Sequence, residues 1–168
     1  MLDLESSLFC VYVNMSWILL QWVNHGAGIL NHRSAIGKLW QITGENVHNL
    51  TLAWRFPTGF DVSATPAIAD GAIYFPGWNG MLYSLKEKTG AVRWIANLTH
   101  LMGADVQVPA VSRTTPVVAS GSLLLVGIYG PPLVLALDRR DGTLVWQSQP
   151  LDHTLYAVIT MSGTAYKG

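Results

Sequence analysis

Five histidines and one cysteine are the side chains of this 168-residue chain that most readily bind a metal ion or act as a nucleophile. His25 and His32 lie seven residues apart, and the other three histidines, His48, His100 and His153, are dispersed. No pair has the i,i+4 spacing of a helical metal site, and no Glu accompanies a pair. We therefore interpret the histidines as exposed or capping residues and predict no metal site.

The lone cysteine and the balance of charge exclude several kinds of site and partner. Cys10 cannot form a disulfide, a cysteine zinc site or a Cys-x-x-Cys-His haem attachment within this chain. Ten basic and ten acidic residues give zero formal charge, so no field exists to gather a phosphate backbone. Half of the residues are apolar and 12% are charged, which indicates a globular chain with a sizeable core and no nucleic-acid partner.

The aspartates are interpreted as turn residues rather than as catalytic acids. Asp stabilises turns because its carboxylate accepts hydrogen bonds from nearby backbone N–H groups. The residues concerned are Asp61, Asp70, Asp105, Asp138, Asp141 and Asp152.

Residues 1–21 form an apolar leader. The run from Leu8 to Val23 has the length of a signal-peptide core and is short for a membrane span. Asp3 and Glu5 stand where a basic region is expected, and no small-x-small cleavage site precedes Trp22. A secretory leader and an uncleaved apolar strand or anchor therefore both stay open.

Three glycosylation sequons favour export of the chain. They begin at Asn14, Asn49 and Asn97, the last two at predicted loops or strand ends. The sequence thus predicts a secreted or extracytoplasmic location.

Two segments of the chain repeat each other. "SATPAIADGAIYFPGWNGMLYSLKEKTGAVRW" aligns with "RTTPVVASGSLLLVGIYGPPLVLALDRRDGTLVW". With an offset of fifty the matched pairs are Thr65 with Thr115, Pro66 with Pro116, Gly71 with Gly121 and Gly77 with Gly127. After an insertion at Pro131-Pro132 the offset is 52, which pairs Gly90 with Gly142 and Trp94 with Trp146.

Each copy is predicted to form two hairpins in series. In the first copy the predicted strands are 67–69, 72–75, 81–86 and 91–96, and in the second 116–119, 123–126, 133–137 and 143–146. A period near fifty residues with four strands per unit is typical of β-propeller blades. The fold class is therefore all-β, an incomplete β-propeller. The predicted parts are an opening segment and closing strand (22–54), a first blade (55–94), a second blade (95–146) and the start of a third (147–168).

The repeated glycine and tryptophan have structural explanations. Gly90 and Gly142 close hairpins that require a positive φ, which a side chain disfavours. A broad indole four residues later can fill the space between stacked sheets. Trp54, Trp94 and Trp146 are therefore predicted to be buried between blades.

Several stretches of the chain resemble a known family. "ALDRRDGTLVW" (136–146) resembles the tryptophan-docking motif A-x-D-x-x-T-G-x-x-x-W of pyrroloquinoline quinone (PQQ) dehydrogenases, with Asp141 in place of Thr, and 84–94 is a weaker copy. "WVNHGAGILNHRSA" and "ITGENVHNLTLAW" are similar to the N-terminal signature of the family, with Gly44 in place of Pro. The resemblance runs from Trp22 to about Gly168, and the polyvinyl-alcohol dehydrogenase-like branch is the most similar.

This resemblance implies an eight-bladed propeller that holds PQQ and calcium on its axis and oxidises small alcohols. The vicinal cysteine pair of the family is absent, because Cys10 stands alone. The catalytic Asp and most calcium ligands belong to later blades in the family, so no residue here receives a catalytic or metal-binding role. We therefore expect an N-terminal fragment that is inactive alone and does not itself hold PQQ or calcium.

The resemblance also places residues near the propeller axis. Arg113, Thr114 and Thr115 open the innermost strand of the second copy, where a guanidinium and hydroxyls suit the carboxylates of the quinone. We predict these three as cofactor-binding residues. The alternative is that both threonines are ordinary strand residues and that Arg113 is a surface cation.

A second function stays open beside the dehydrogenase. Similar blades build non-catalytic scaffolds such as the propeller that supports outer-membrane protein assembly, although "SLFC" (7–10) is a poor lipobox because Phe9 should be small. Enzymatic activity is therefore left undecided. Open blade edges also predict self-association.

Overall fold

The computed structural model describes residues 7–12, 22–28, 30, 33, 43–103, 109–154 and 156–166. The strands in these ranges are β1 (Ser7–Tyr12), β2 (Thr51–Pro57), β3 (Ala67–Ala69), β4 (Ala72–Pro76), β5 (Met81–Lys86), β6 (Val92–Asn97), β7 (Val117–Val118), β8 (Leu123–Gly127), β9 (Val134–Asp138) and β10 (Leu144–Gln147). A short helix, α1 (Leu98–Met102), follows β6. The sequence did not predict this helix.

Two four-stranded antiparallel meanders dominate the structure. Their strand orders are β3-β4-β5-β6 and β7-β8-β9-β10, and β1 pairs with β2 in a separate two-stranded sheet. The predicted all-β fold with two repeated meanders is confirmed, and each strand lies within two residues of its predicted position. The ranges given above for the domains stay predictions.

Turn residues set the register of the hairpins. Asp70 and Gly71 have φ values of 49° and 72° and join β3 to β4 as a two-residue loop, with Ala69 paired to Ala72. Positive φ at both central residues is what a tight hairpin with the right-handed strand twist requires. Gly90 and Gly142, at φ values of 66° and 79°, take the positive φ predicted for them.

Burial shows that the sheets stack face to face. All five residues of β4 are buried, whereas buried and partly exposed residues alternate along β8. The first meander is therefore covered on both faces and the second on one. One apolar cluster joins the two meanders and includes Tyr74, Trp94 and Leu135. Another joins β2 to the first meander.

Two tryptophans dock on the turn of the following unit. The Trp54 indole donates from Nε1 to the Glu87 carbonyl at 2.9 Å and its ring covers Gly90. The Trp94 indole donates to the Arg139 carbonyl at 3.0 Å. Both rings are buried between sheets, as predicted.

The prediction of a buried Trp146 is wrong. Its side chain is 43% exposed. Each of the other two indoles is covered by the glycine turn of the next unit. In the part of the chain that the structure describes, no such turn lies against Trp146.

The assignment of residues 147–168 to the start of a third blade stays a prediction. Residues 148–154 and 156–166 form no strand and meet the second meander through isolated bonds such as Ile159 N–H to the Tyr129 carbonyl at 3.1 Å. An innermost strand is stabilised by the second strand of its own blade, and the described residues supply none.

Part of the N-terminal leader lies in the described structure. Residues 7–12 form β1, which pairs antiparallel with β2. The rest of range 1–21, the Asn14 sequon and Asp105 fall outside the described residues. Within the described ranges no helix is long and apolar enough to cross a membrane.

Candidate anion-binding site

A short opening segment, residues 22–28, lies along the inner edges of both meanders. Trp22 exchanges backbone hydrogen bonds with Ile68 of β3 at 2.7 and 2.8 Å, and the Val23 carbonyl accepts from the Val118 N–H of β7 at 2.9 Å. Successive residues of one segment therefore contact successive blades.

Asn24 ties this segment to the C-terminal part of the chain. Its side chain is 2% exposed and donates from Nδ2 to Thr164 Oγ1 at 3.3 Å. The same side chain accepts from the Gly26 N–H at 3.0 Å, which fixes the turn that precedes Arg33. Both ends of the amide are thus engaged, as burial of a polar group requires.

His25 bridges the two repeats. Its Nδ1 lies 3.3 Å from Thr65 Oγ1 and 3.4 Å from Thr115 Oγ1. These two threonines are equivalent positions of the two copies. The His25 imidazole therefore contacts the equivalent hydroxyl group of each copy. His25 is half-buried, which differs from the expectation of an exposed or capping histidine.

A polar cavity of about 450 Å³ opens beside His25. Its lining combines positive and hydroxyl-bearing side chains with Met161 and small residues and contains no carboxylate. The polar lining residues are His25, Arg33, Ser63, Thr65, Arg113, Thr115, Thr160, Ser162 and Thr164. Such a donor set suits an anionic ligand, because guanidinium and hydroxyl groups donate charge-assisted hydrogen bonds to carboxylate oxygens.

The three residues predicted to bind a cofactor lie in different surroundings from one another. Arg113 is exposed and lines the cavity. Thr115 is buried, also lines the cavity, and donates its backbone N–H to Ser162 Oγ at 2.8 Å. Thr114 does not line this cavity, because its hydroxyl accepts from the Gly127 N–H at 3.1 Å and lies 3.3 Å from the Gly127 carbonyl. The binding role of these residues stays a prediction.

Two aromatic rings flank the Arg113 guanidinium. The carbon atom Cζ lies 5.5 Å from the ring centroid of Trp78 and 5.7 Å from that of Tyr129. Trp78 follows β4 and Tyr129 follows β8, so one ring comes from each meander. These distances are within the range of cation–π attraction.

Sequence reasoning missed His25, Arg33, Trp78 and Tyr129 as residues of this site. The equivalence of Thr65 and Thr115 in the repeats was a usable signal that the two copies face a common element. Arg33 lies in the Asn-x-Arg part of the N-terminal signature, which was the second signal. No sequence pattern pointed to the two aromatic residues.

Three of the aspartates interpreted as turn residues, Asp138, Asp141 and Asp152, cap turns of the described structure. Asp138 accepts from the Arg140 backbone and guanidinium, which lowers the pKa of its carboxyl to about 2. Backbone and hydroxyl bonds from Thr143 and Thr154 lower the pKa values of Asp141 and Asp152. The described residues contain no group of three His, Cys, Asp or Glu side chains that could hold a metal ion.

A second cavity, also of about 450 Å³, lies on the open face of the second meander. Its lining is mostly apolar and includes Val117, Leu125 and Val134. The residues that border both cavities are Thr115, Thr160, Met161, Gly163 and Thr164. This cavity therefore marks the face that lacks a full neighbouring sheet.

Comparisons with known proteins agree with this architecture. Residues 35–167 match the PQQ_2 family, described as "Outer membrane protein assembly factor BamB". BamB of Yersinia pestis is 30% identical over 107 residues, which are 62% of this chain and 25% of that protein. The quinoprotein ethanol dehydrogenase of Pseudomonas aeruginosa is 28% identical over 148 residues, covering 81% of this chain and 22% of the relative.

The solved structures show the same fold. The quinohemoprotein alcohol dehydrogenase ADHIIG from Pseudomonas putida HK5 superimposes with a TM-score of 0.72 at 24% identity, over 89% of this chain and 22% of that one. This chain thus spans about a quarter of the length of such relatives. With its repeated meanders and the match over most of its length, the chain belongs to the PQQ_2 family of PQQ-repeat proteins and resembles both BamB and the quinoprotein alcohol dehydrogenases.

Proposed function

We propose that this chain supplies two adjacent blades of a quinoprotein-type alcohol dehydrogenase propeller. We further propose that its polar cavity forms the carboxylate-binding wall of the quinone-binding site. The cavity carries this proposal, because it places Arg33, Arg113 and His25 together at the inner edges of both blades. The similarity to quinoprotein ethanol dehydrogenase over 81% of the chain supports it.

The residues present fit a carboxylate-bearing quinone. Two guanidinium groups and several hydroxyls face a cavity without acidic side chains. PQQ, when bound, would supply the redox chemistry that oxidises a small alcohol, and these side chains would bind and orient its carboxylates. The described residues supply no cluster for calcium, so that ion is assigned no position here.

Citrate is a suitable probe of the cavity because it carries three carboxylates and contributes no redox chemistry. At low ionic strength we expect millimolar citrate to shift the NMR signals of His25, Arg113 and the Thr115 amide. Arg113→Gln should weaken this response, and Arg93→Gln, outside the cavity, should leave it unchanged. Citrate shifts that do not involve cavity residues, or that survive Arg113→Gln at full strength, contradict the proposed wall.

The scaffold function is the second candidate. The PQQ_2 match and the Yersinia relative favour it, as do exposed apolar side chains on the outer strands β6 and β10, namely Val92, Ile95 and Val145. An outer strand with unpaired backbone groups can add an extended peptide as a further strand. Replacing Ile95 by Lys should reduce binding of an extended apolar peptide in the scaffold case and should leave the citrate response intact.

Both candidate functions are compatible with a location outside the cytoplasm. The sequence predicts such a location from its leader and sequons, and the name of the BamB relatives refers to the outer membrane. We propose an extracytoplasmic location for this chain on these grounds.

A further inference from the structure

We propose that Trp78 and Tyr129 are positioning residues that hold the Arg113 guanidinium at the mouth of the polar cavity. The proposal rests on the function proposed above, in which Arg113 binds an anion. It concerns the two aromatic side chains, which do not line the cavity themselves.

The backbone of Arg113 is fixed from both sides. Ser112 and Thr114 are each 2% exposed and both hydroxyls bond to Gly127 of β8. Ser112 Oγ donates to the Gly127 carbonyl at 2.7 Å and also accepts the Thr114 N–H at 3.2 Å. The α-carbon of Arg113 therefore has a defined position although its side chain is exposed.

The side chain needs a separate restraint, because an exposed arginine samples many rotamers. Within the described structure, no carboxylate lies within ion-pair distance of Arg113. The contacts that the structure does give the guanidinium are the two rings, at 5.5 and 5.7 Å. Cation–π attraction to a ring face leaves the N–H groups free to donate to a ligand.

Hydrogen bonds restrain the Trp78 ring and the Tyr129 backbone. Trp78 Nε1 donates to Ser63 Oγ at 2.9 Å, and the Trp78 backbone N–H donates to the Asp61 carbonyl at 3.0 Å. The Tyr129 N–H donates to the Val111 carbonyl at 2.8 Å. The two ring centroids lie 6.2 Å apart with the ring planes tilted by 57°, so the rings pack against each other.

This arrangement makes the position of the guanidinium depend on the packing of the two blades. Trp78 belongs to the first meander, whereas Arg113 and Tyr129 belong to the second. A guanidinium that is held in advance loses less entropy when it binds a carboxylate, which raises affinity without adding charge.

The test measures the Arg113 side chain and citrate affinity together in the full chain. In the wild type we expect a resolved Arg113 Nε–H NMR signal shifted by the ring currents. Trp78→Leu or Tyr129→Leu should return this signal towards that of a free arginine and raise the citrate dissociation constant by about two- to fivefold. Trp78→Phe and Tyr129→Phe keep a ring and should restore most of both properties.

Salt dependence separates positioning from charge. Because the aromatic variants keep Arg113, the slope of citrate affinity against salt should stay unchanged, whereas Arg113→Gln should reduce it. Phe60→Leu, an exposed aromatic that does not line the cavity, serves as the control and should change nothing.

The outcomes distinguish the two proposals. If Arg113→Gln weakens citrate binding but the leucine variants change neither the Nε–H signal nor the affinity, the positioning role is overturned and the cavity wall stands. If Arg113→Gln has no effect on citrate, the proposed function fails and the positioning role fails with it. Loss in both leucine variants with recovery in the phenylalanine variants supports the inference.

Discussion

The Ser84 hydroxyl is buried without a hydrogen bond in the described structure. The residue is fully buried and its Oγ has no hydrogen-bond partner within the described structure. At the equivalent position of the second repeat stands Ala136, also fully buried. A buried hydroxyl without a partner lowers stability because it has left its hydration shell.

Ser84→Ala should therefore stabilise the protein, by about 1 kcal/mol, because it removes this desolvation penalty. Urea unfolding followed by circular dichroism measures the change. Ser112→Ala is the matched control, since Ser112 is also buried but bonds to Gly127. It should destabilise by about 1–2 kcal/mol, and equal effects of the two substitutions would be incompatible with this explanation.

The carboxyl of Asp138 should titrate at a pKa of about 2, chiefly because the Arg140 guanidinium donates hydrogen bonds to it. Since the pKa is lowered, this interaction favours the folded state above the ordinary pKa of Asp and is lost as the pH falls towards 2. Arg140→Gln should raise the pKa, and NMR titration of the carboxyl carbons measures it. The pKa of Asp152, which is lowered by Thr154, should stay unchanged.

Individual residues differ in how far the sequence predicts them. The turn role of aspartates such as Asp70 and Asp141 follows from local chemistry and could be predicted. The contact of His25 with two threonines joins residues 40 and 90 positions apart, and local patterns carry no such information.

At the scale of elements, Trp54 of β2 and Trp94 of β6 each dock on the glycine turn of the next unit. The Trp94 ring lies against Gly142, where an added Cβ would be 2.7 Å from the ring. Trp94→Ala should cost about 3–5 kcal/mol, as for other buried large aromatics. Trp146→Ala should cost about 1 kcal/mol or less, because the ring is half-exposed.

Denaturant unfolding of the two variants tests this contrast. Both variants replace tryptophan by alanine. A difference between their losses of unfolding free energy therefore measures the contribution of the covering turn. Similar losses for both variants would show that Trp146 is covered in solution, by self-association or otherwise.

The glycine turns give a second prediction at this scale. Gly90→Ala places a Cβ 2.6 Å from the Trp54 ring at a φ of 66° and should cost about 2–4 kcal/mol from overpacking and backbone strain together. Gly121→Ala, at a φ of 72° with nothing within 4 Å, should cost about 1–2 kcal/mol from backbone strain alone. Thermal unfolding of both variants measures the difference, and a Gly121 variant that is the less stable of the two contradicts the docking.

The strands could be predicted because hydrophobic pattern and turn residues agree in both copies. The short helix α1 and the irregular course of residues 156–166 could not. In both places the backbone conformation depends on partners that lie far away in sequence, such as Tyr129 for Ile159.

At the scale of the whole molecule, the chain should be inactive when given PQQ and calcium. Its cavity supplies one wall of the quinone-binding site. Affinity for PQQ that depends on many fixed groups falls steeply when most of these groups are missing. We expect no reduction of an artificial electron acceptor with primary or secondary alcohols and no saturable PQQ binding in the micromolar range. Dye reduction and fluorescence titration measure the two properties. Micromolar binding with turnover contradicts the prediction and points to closed rings built from several chains.

The opening segment has a kinetic consequence for this molecule. Trp22, Val23 and Asn24 contact Ile68, Val118 and Thr164, and the last of these bonds spans 140 residues. Closing so long a loop is entropically unfavourable, and the segment cannot complete its contacts until both meanders exist. We therefore expect the segment that is translated first among the described inner contacts to reach its final position last.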